Sequence, residues 1–282
     1  MATQIQLAQI SEAQLARYAT LIYDVAGIRI SQQKRMMLSN RLRRRLKANN
    51  LEDFDDYYDF LKSIPSNHPE WDAFLQEVST HETFLFRDEA QWNWLQQDFL
   101  PEICRQAQLG ERRKSLRVWS AACSTGDEAY SVAVCVAATI PNVEQWKIEI
   151  VGTDIGVGAV QAAQTAEFGE RAMNLVPEAF VRRFFDKLPN GKTWKPKPML
   201  LNWIKFRQHN LLEPLKELPF DLVFLKNVLI YFDTASKQRV LNHVLPLVAS
   251  GGMMVTAAAE GVSNLIEGLE KQKPWLYLKP RK

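Results

Sequence analysis

Leu116-Arg117-Val118-Trp119-Ser120-Ala121-Ala122-Cys123-Ser124-Thr125-Gly126-Asp127-Glu128-Ala129-Tyr130-Ser131, followed by Ile148-Glu149-Ile150-Val151-Gly152-Thr153-Asp154-Ile155, decides the fold. The first run is an apolar strand that ends in small residues and Gly126 and then starts a helix. The second is another apolar strand, ending in a carboxylate. A doubly wound sheet binds a nucleoside at the carboxyl ends of its first two strands. The small-residue turn lets the ligand approach the backbone, and the acid after the second strand takes the ribose hydroxyls. A pyrophosphate would call for G-x-G-x-x-G, whereas here one glycine stands beside two acids, Asp127 and Glu128. Carboxylates repel phosphate and suit a sulfonium or ammonium, so the turn favours S-adenosylmethionine over NAD. The bland alternatives are a plain strand-to-helix connection at Gly126 and a helix N-cap at Asp154.

Outward from this stretch, strands and helices alternate. Helix is expected over 92–108, strand over 116–122, helix over 127–139, strand over 147–153, and helices over 157–166 and 177–185. Strands over 203–207 and 220–225, a helix over 234–249 and a strand over 252–258 complete the series. Such alternation implies an α/β fold with a doubly wound, mostly parallel sheet and helices on both faces. The stretch Leu188-Pro189-Asn190-Gly191-Lys192-Thr193-Trp194 interrupts the rhythm, and its Asn-Gly turn suggests a small hairpin insertion near 187–205. Residues 1–78 read instead as a small all-α domain. Ser11 caps a helix over Glu12 to Ala26 ended by Gly27, and further helices cover about 31–47, 53–61 and 69–78. Residues 79–91 form a junction, and 92–282 the sheet domain.

Bulk properties narrow the class. At 282 residues the chain can bury a substantial core in one large or two modest domains. A formal net charge of +3 is too weak to imply nucleic acid. Three cysteines without paired or metal-like spacing fit a reducing compartment. Met1-Ala2-Thr3-Gln4-Ile5-Gln6 lacks the charged and apolar parts of a secretion signal, and no stretch reaches the ~20 apolar residues of a membrane span. These features point to a cytoplasmic protein without membrane insertion.

Several further constellations stand out. Asn227-Val228-Leu229-Ile230-Tyr231-Phe232 follows an apolar strand, which brings Asn227 and Tyr231 to the mouth of the same cleft. Thr80-His81-Glu82-Thr83-Phe84-Leu85-Phe86-Arg87 packs polar groups, aromatics and an arginine into the junction, where Arg87 suits a bidentate grip on a carboxylate. Arg41, Arg43, Arg44, Arg45 and Lys47 make the second helix basic, either as a solvated face or as a dock for an acidic partner or a phosphate backbone. Aromatic interleaving of the kind single-stranded nucleic acid needs is absent from it. His68, His209 and His243 are scattered without ligand spacing, so no metal is assigned.

Taken together, these segments resemble the chemotaxis receptor methyltransferases, the CheR family. The likeness rests on Gly27-Ile28 ahead of the Arg41–Leu46 helix, the 80–87 junction, the 119–131 turn, Asn210-Leu211, Asn227–Phe232 and Glu260, all in order. The resemblance implies methyl transfer from S-adenosylmethionine to receptor glutamates, with S-adenosylhomocysteine as the product. Carried over by position, it assigns His81, Thr83, Arg87, Glu128, Asp154, Asn210, Leu211, Lys226 and Asn227 to the cofactor, and Arg87 and Tyr231 to the reacting centre. It implies that chemoreceptor cytoplasmic helices meet the basic helix through Arg41, Arg43, Arg44 and Arg45. The β-insertion would be the subdomain that docks a receptor tail peptide in some members. This chain departs from the family's usual pattern at His81, which stands where asparagine is common, at Lys226, in place of arginine, and at Leu225, in place of cysteine. The alternatives are a methyltransferase acting on nucleic acid or a small molecule, and a non-enzymatic cofactor-binding signalling module.

Overall fold

The computed structural model describes residues 9–80 and 82–281. Four helices open it: α1 Glu12–Ala26, α2 Arg35–Ala48, α3 Phe54–Ser63 and α4 Pro69–Val78. The start of α1 is set by a capping box in which the Ser11 hydroxyl takes the Gln14 N–H and the Gln14 side chain takes the Ser11 N–H. Gly27 ends α1 with φ +70°, and a side chain there would strike Phe232 at 2.7 Å. The second helix begins later than expected, after a 3₁₀ turn at Gln32–Lys34. Tyr18, Leu42, Tyr57 and Phe74 form the centre of this domain's own core.

The expected helix over 92–108 is three pieces in one rod: α5 Glu89–Trp94, a π-turn at Leu95–Phe99 and α6 Leu100–Gln108. Leu100 N–H reaches back five residues to Leu95 O. The next residue, Pro101, has no N–H to donate and widens the ladder there. The sheet domain follows with β1 Ser115–Ala121, α7 Asp127–Thr139, β2 Lys147–Asp154, α8 Val157–Thr165, β3 Phe168–Gly169, a turn α9 Glu170–Met173 and α10 Glu178–Phe184. Then come β4 Phe185–Lys187, β5 Thr193–Pro196, a turn α11 Pro198–Leu201, β6 Ile204–Gln208, β7 Phe220–Leu225, α12 Thr234–Val244, β8 Val248–Thr256, β9 Glu270–Lys273 and β10 Leu276–Leu278.

The main sheet runs β6-β2-β1-β7-β8-β10-β9, parallel from β6 to β8 and antiparallel at β10 and β9. Successive residues enter opposite cores: Val118, Leu222 and Phe224 pack with α7, while Trp119, Val223 and Leu225 pack with α12. Strand order reverses at β1, between β2 and β7, which opens a crevice at their carboxyl ends.

Three expectations need correction. The insertion is not a lone hairpin, because β4 and β5 pair through the Asn190-Gly191 turn and a third strand, β3, lies outside 187–205. The helix expected over 234–249 stops at Val244, where Pro246 cannot continue the ladder, and β8 starts at Val248 rather than 252. The β9–β10 pair escaped notice because Glu270–Lys273 is exposed throughout and carries no apolar alternation.

The helical domain is fastened across the carboxyl edge of the sheet. Arg29 N–H donates to Tyr231 O at 2.9 Å, and Asn210 Nδ2 donates to Val25 O at 2.8 Å. Gln76 Oε1 accepts the Ala159 N–H at 3.1 Å in the first turn of α8, and Gln208 Nε2 donates to Asp72 at 2.6 Å. None of the described helices is long and apolar enough to cross a membrane.

Candidate active site

A cleft with about 970 Å³ of empty space, counting its opening to solvent, lies at the crevice beneath this seam. Its floor is the turn after β1. Ala122 (φ +60°) and Ser124 (φ +50°) are left-handed, as is Gly126 (φ +89°), where a side chain would meet Ala163 and Phe206 at 2.9 Å. Asn227, after β7, is left-handed as well (φ +57°). Each such non-glycine residue costs on the order of 1–3 kcal/mol and persists only where the surroundings impose it. The turn thereby bares backbone to the cleft. Asp154, buried at the end of β2, joins this turn to the loop after β2: Ser124 N–H donates to Oδ2 at 2.8 Å and Gly156 N–H to Oδ1 at 2.9 Å. Ser124 Oγ is buried in the same place and lacks a hydrogen-bond partner among the described residues.

The opposite wall is charged. Glu128, in the first turn of α7, accepts the Ser120 hydroxyl at 2.7 Å. Lys226 Nζ lies 3.6 Å from Glu128 and 3.1 Å from Asp88, with the side chain only 3% exposed. The ring of Trp92 sits 5.4 Å from the ammonium. Burial pushes the Glu128 carboxyl above its ordinary pKa, and Lys226 opposes the rise. Asp127 is raised by burial too, but its carboxylate turns away to Thr125. Glu260 is fully buried and raised by burial; it accepts the Val228 N–H at 3.3 Å and so anchors the Asn227–Tyr231 loop.

At the mouth, Arg87 stands between two left-handed residues, Phe86 (φ +58°) and Asp88 (φ +68°). Among the described residues its guanidinium meets the Phe84 ring and, at 3.4 Å, the Glu82 carbonyl, with no carboxylate in ion-pair range. Tyr231 stands across from it, with Lys34 of the helical domain 5.3 Å over its ring.

The cleft brings together Thr83, Arg87, Glu128, Asp154, Asn210, Leu211, Lys226, Asn227 and Tyr231. His81 lies outside the described residues. Two of these residues have structural contacts as well. The Asn210 amide is committed to Val25 O and the Leu212 N–H, so this side chain ties the domains together. Leu211 belongs to the α12-side core and forms a wall. The basic helix also needs correction. Arg45 is turned inward, making a two-point pair with Glu70 at 2.9 and 2.6 Å, and Tyr57 hydroxyl donates to the same carboxylate. Arg44 pairs with Glu77. Arg41 reaches the junction, donating to Val78 O at 2.6 Å and Thr80 Oγ1 at 3.2 Å.

Sequence reasoning missed Asp88, Ser120, Trp92 and His209. Asp88 precedes a helix and reads as an ordinary N-cap, yet its side chain makes no capping bond. Trp92 carried no local signal, since it acts through Lys226, distant in the chain, and Ser120 acts through Glu128 across the strand-to-helix turn.

The residues present fit a nucleoside-bearing cation. The strained turn exposes backbone, Ser124 Oγ is an unmet polar group, and Asp154 and Glu128 contribute negative charge where a phosphate would be repelled. The comparisons agree. The profile of the CheR methyltransferase all-alpha domain matches residues 13–79, and that of the CheR methyltransferase SAM binding domain matches residues 81–274. The chemotaxis protein methyltransferase of Salmonella typhimurium is 32% identical over 273 residues, covering 95% of this chain and 90% of that one. The corresponding protein of Escherichia coli is 33% identical over 261 residues, covering 91% and 87%. With both halves matched and nearly the whole length aligned to proteins of one kind, the chain belongs to the CheR family of chemotaxis methyltransferases, and its cofactor is S-adenosylmethionine.

Proposed function

We propose that the protein methylates glutamate side chains on the cytoplasmic helices of a chemoreceptor, forming glutamyl methyl esters. The observation that carries this reading is the cationic mouth. Arg87, Arg41 and Lys34, drawn from both domains, surround Tyr231 and the junction, and none has a carboxylate in ion-pair range among the described residues. An acidic acceptor is the chemistry that such a rim attracts. Arg44 and Arg45, on the same helix as Arg41, are engaged with Glu77 and Glu70 within the domain.

A glutamate side chain, with a reference pKa of about 4.3, is already ionised near neutral pH and is the nucleophile without help from a base. S-adenosylmethionine supplies an electrophilic methyl group on a good leaving group. The chain's own part is alignment and water exclusion. Arg87 and Tyr231 orient the acceptor carboxylate, the Ala122–Gly126 turn and Asp154 hold the nucleoside, and the domain seam closes the cleft against solvent. The small β3–β5–β4 sheet is the proposed dock for a receptor tail.

One observation favours a second reading. His209 lines the cleft, and burial pushes its pKa below the ordinary value, which leaves an unprotonated imidazole at neutral pH. That group could take a proton from an alcohol or amine acceptor. The two readings separate on the product. With a receptor cytoplasmic fragment and labelled cofactor, a glutamyl ester releases its methyl group as methanol in base. A base-stable product would overturn the proposal.

A further inference from the structure

The segment that presents Arg87 is held by contacts outside itself. Phe86 and Asp88, on either side of Arg87, are both left-handed, so the bend is not one the local sequence prefers. Phe86 N–H donates to Ser131 Oγ at 2.9 Å, and Arg87 O accepts the Trp92 indole N–H at 2.6 Å. Asp88 occupies the N-cap position of α5 but turns its carboxylate away from the helix and onto Lys226, at 3.1 Å. Lys226 comes from the far side, at the end of β7, and its other neighbour is Glu128, on the cofactor wall. A lysine with 3% exposure is costly to bury unless its partners are held in place, and here they come from two separate elements.

We infer that Lys226 is a positioning residue for methyl transfer: by clasping Asp88 and Glu128 together it holds the bend that presents Arg87 and sets it against the cofactor wall. The inference rests on the proposed role of Arg87 at the reacting centre. It adds to the family-based expectation that Lys226 lies at the cofactor, since Lys226 also pairs with Asp88 beside Arg87. The groups facing Glu128 are Lys226 just after β7, Asp88 from the junction and Ser120 from β1, with the Cys123 thiol, itself pushed up by burial, in the adjoining turn. Lys226 is the only cation among them. Without it, the Glu128 carboxyl would take up a proton at higher pH.

The test uses the full chain and the variants Lys226→Met, Lys226→Arg and Asp88→Asn, with circular dichroism to check folding. S-adenosylhomocysteine affinity is measured by calorimetry from about pH 5 to pH 8.5, upward from the ordinary carboxylate value of about 4.3. Methyl transfer to a receptor fragment is resolved into kcat and KM. Asp88→Asn is expected to lower kcat by about tenfold or more while weakening cofactor affinity clearly less, since it loosens the bend at Arg87 and leaves Lys226 on Glu128. Lys226→Met is expected to lose both, with cofactor affinity at least about tenfold weaker and falling further as the pH is lowered. Lys226→Arg should restore the wild-type pH profile and most of the turnover.

Wild-type affinity, pH profile and turnover in Lys226→Met would overturn the inference. So would Asp88→Asn losing cofactor binding and turnover in the same proportion, which is the mark of plain destabilisation. If Lys226→Met does not fold, the kcat-against-affinity split in Asp88→Asn decides. If the wild type methylates no receptor glutamate, the substrate reading fails, while the pH profile of cofactor binding still judges the Lys226–Glu128 link.

Discussion

The Tyr23 hydroxyl donates to Asp233 Oδ2 at 3.0 Å, joining the helical domain to the residue that caps α12. With the Asn210–Val25 bond and the Ile28–Phe232 bridge, it fastens the end of α1 to two loops of the cleft. Tyr23→Phe removes one tie without opening a cavity. It should cost about 1 kcal/mol and lower the melting midpoint by about 2–4 °C. Calorimetry of the variant checks this, and cofactor affinity should stay at the wild-type level.

Asp154 accepts two backbone amides, one of them from the turn proposed to receive the nucleoside. Asp154→Asn keeps the volume but places an N–H₂ group against one of these donors. S-adenosylhomocysteine affinity should fall by at least about tenfold, roughly 1.4 kcal/mol. An unchanged affinity by calorimetry would remove Asp154 from the nucleoside site.

Two arginines on one helix should behave in opposite ways. Arg45 is paired with Glu70, and the two side chains are only 17% and 7% exposed. Arg45→Met strands that carboxylate and should cost about 3–5 kcal/mol in denaturant unfolding. Arg41→Gln, at the cleft mouth, should instead raise the receptor KM by about tenfold at low salt and less at high salt, with little loss of stability. If both variants changed only stability, the basic helix would have no part in docking.

Stability should pass through a maximum on the acid side of neutral. Asp127, Glu128 and Glu260 have carboxyl pKa values raised by burial. As the pH falls from neutral they take up protons in the folded chain before they do so unfolded, so stability rises. Glu70 behaves oppositely: burial pushes its pKa up, but the Arg45 and Tyr57 hydrogen bonds outweigh burial and leave it lowered. Asp233 is also lowered, chiefly by the Ser236 amide. Their contribution is present above the unfolded carboxylate pKa and disappears as the pH drops through the lower folded values. A thermal scan series from pH 8 to about pH 3 tests the sequence of rise and fall.

Much of the fold was legible because its signals are local. The Ser11 cap, the Pro69–Val78 helix, Asp127–Thr139 and Phe220–Leu225 lie where periodicity and capping put them. The two-residue strand β3 and the polar strand β9 were not legible, because pairing with distant partners alone makes them strands. That Gly126 ends a turn beside Asp154 in one cleft could be read from the two strand ends. The identity of Lys226 was visible as well, but not its partners.

The amino-acid order by itself determined the α/β layering, the helical domain ahead of it, and the kind of ligand a small-residue turn flanked by acids can take. Each follows from short-range chemistry: hydrophobic period, capping, backbone freedom and the sign of charge. Only the tertiary structure decided how the cations of this helix are used, since Arg41 and Arg45 lie one turn apart yet reach Thr80 in the junction and Glu70 respectively. It also decided that Asp88 holds Lys226 rather than capping its helix. A charged side chain takes whichever partner the fold brings within 3–4 Å, and sequence separation carries no information about that distance.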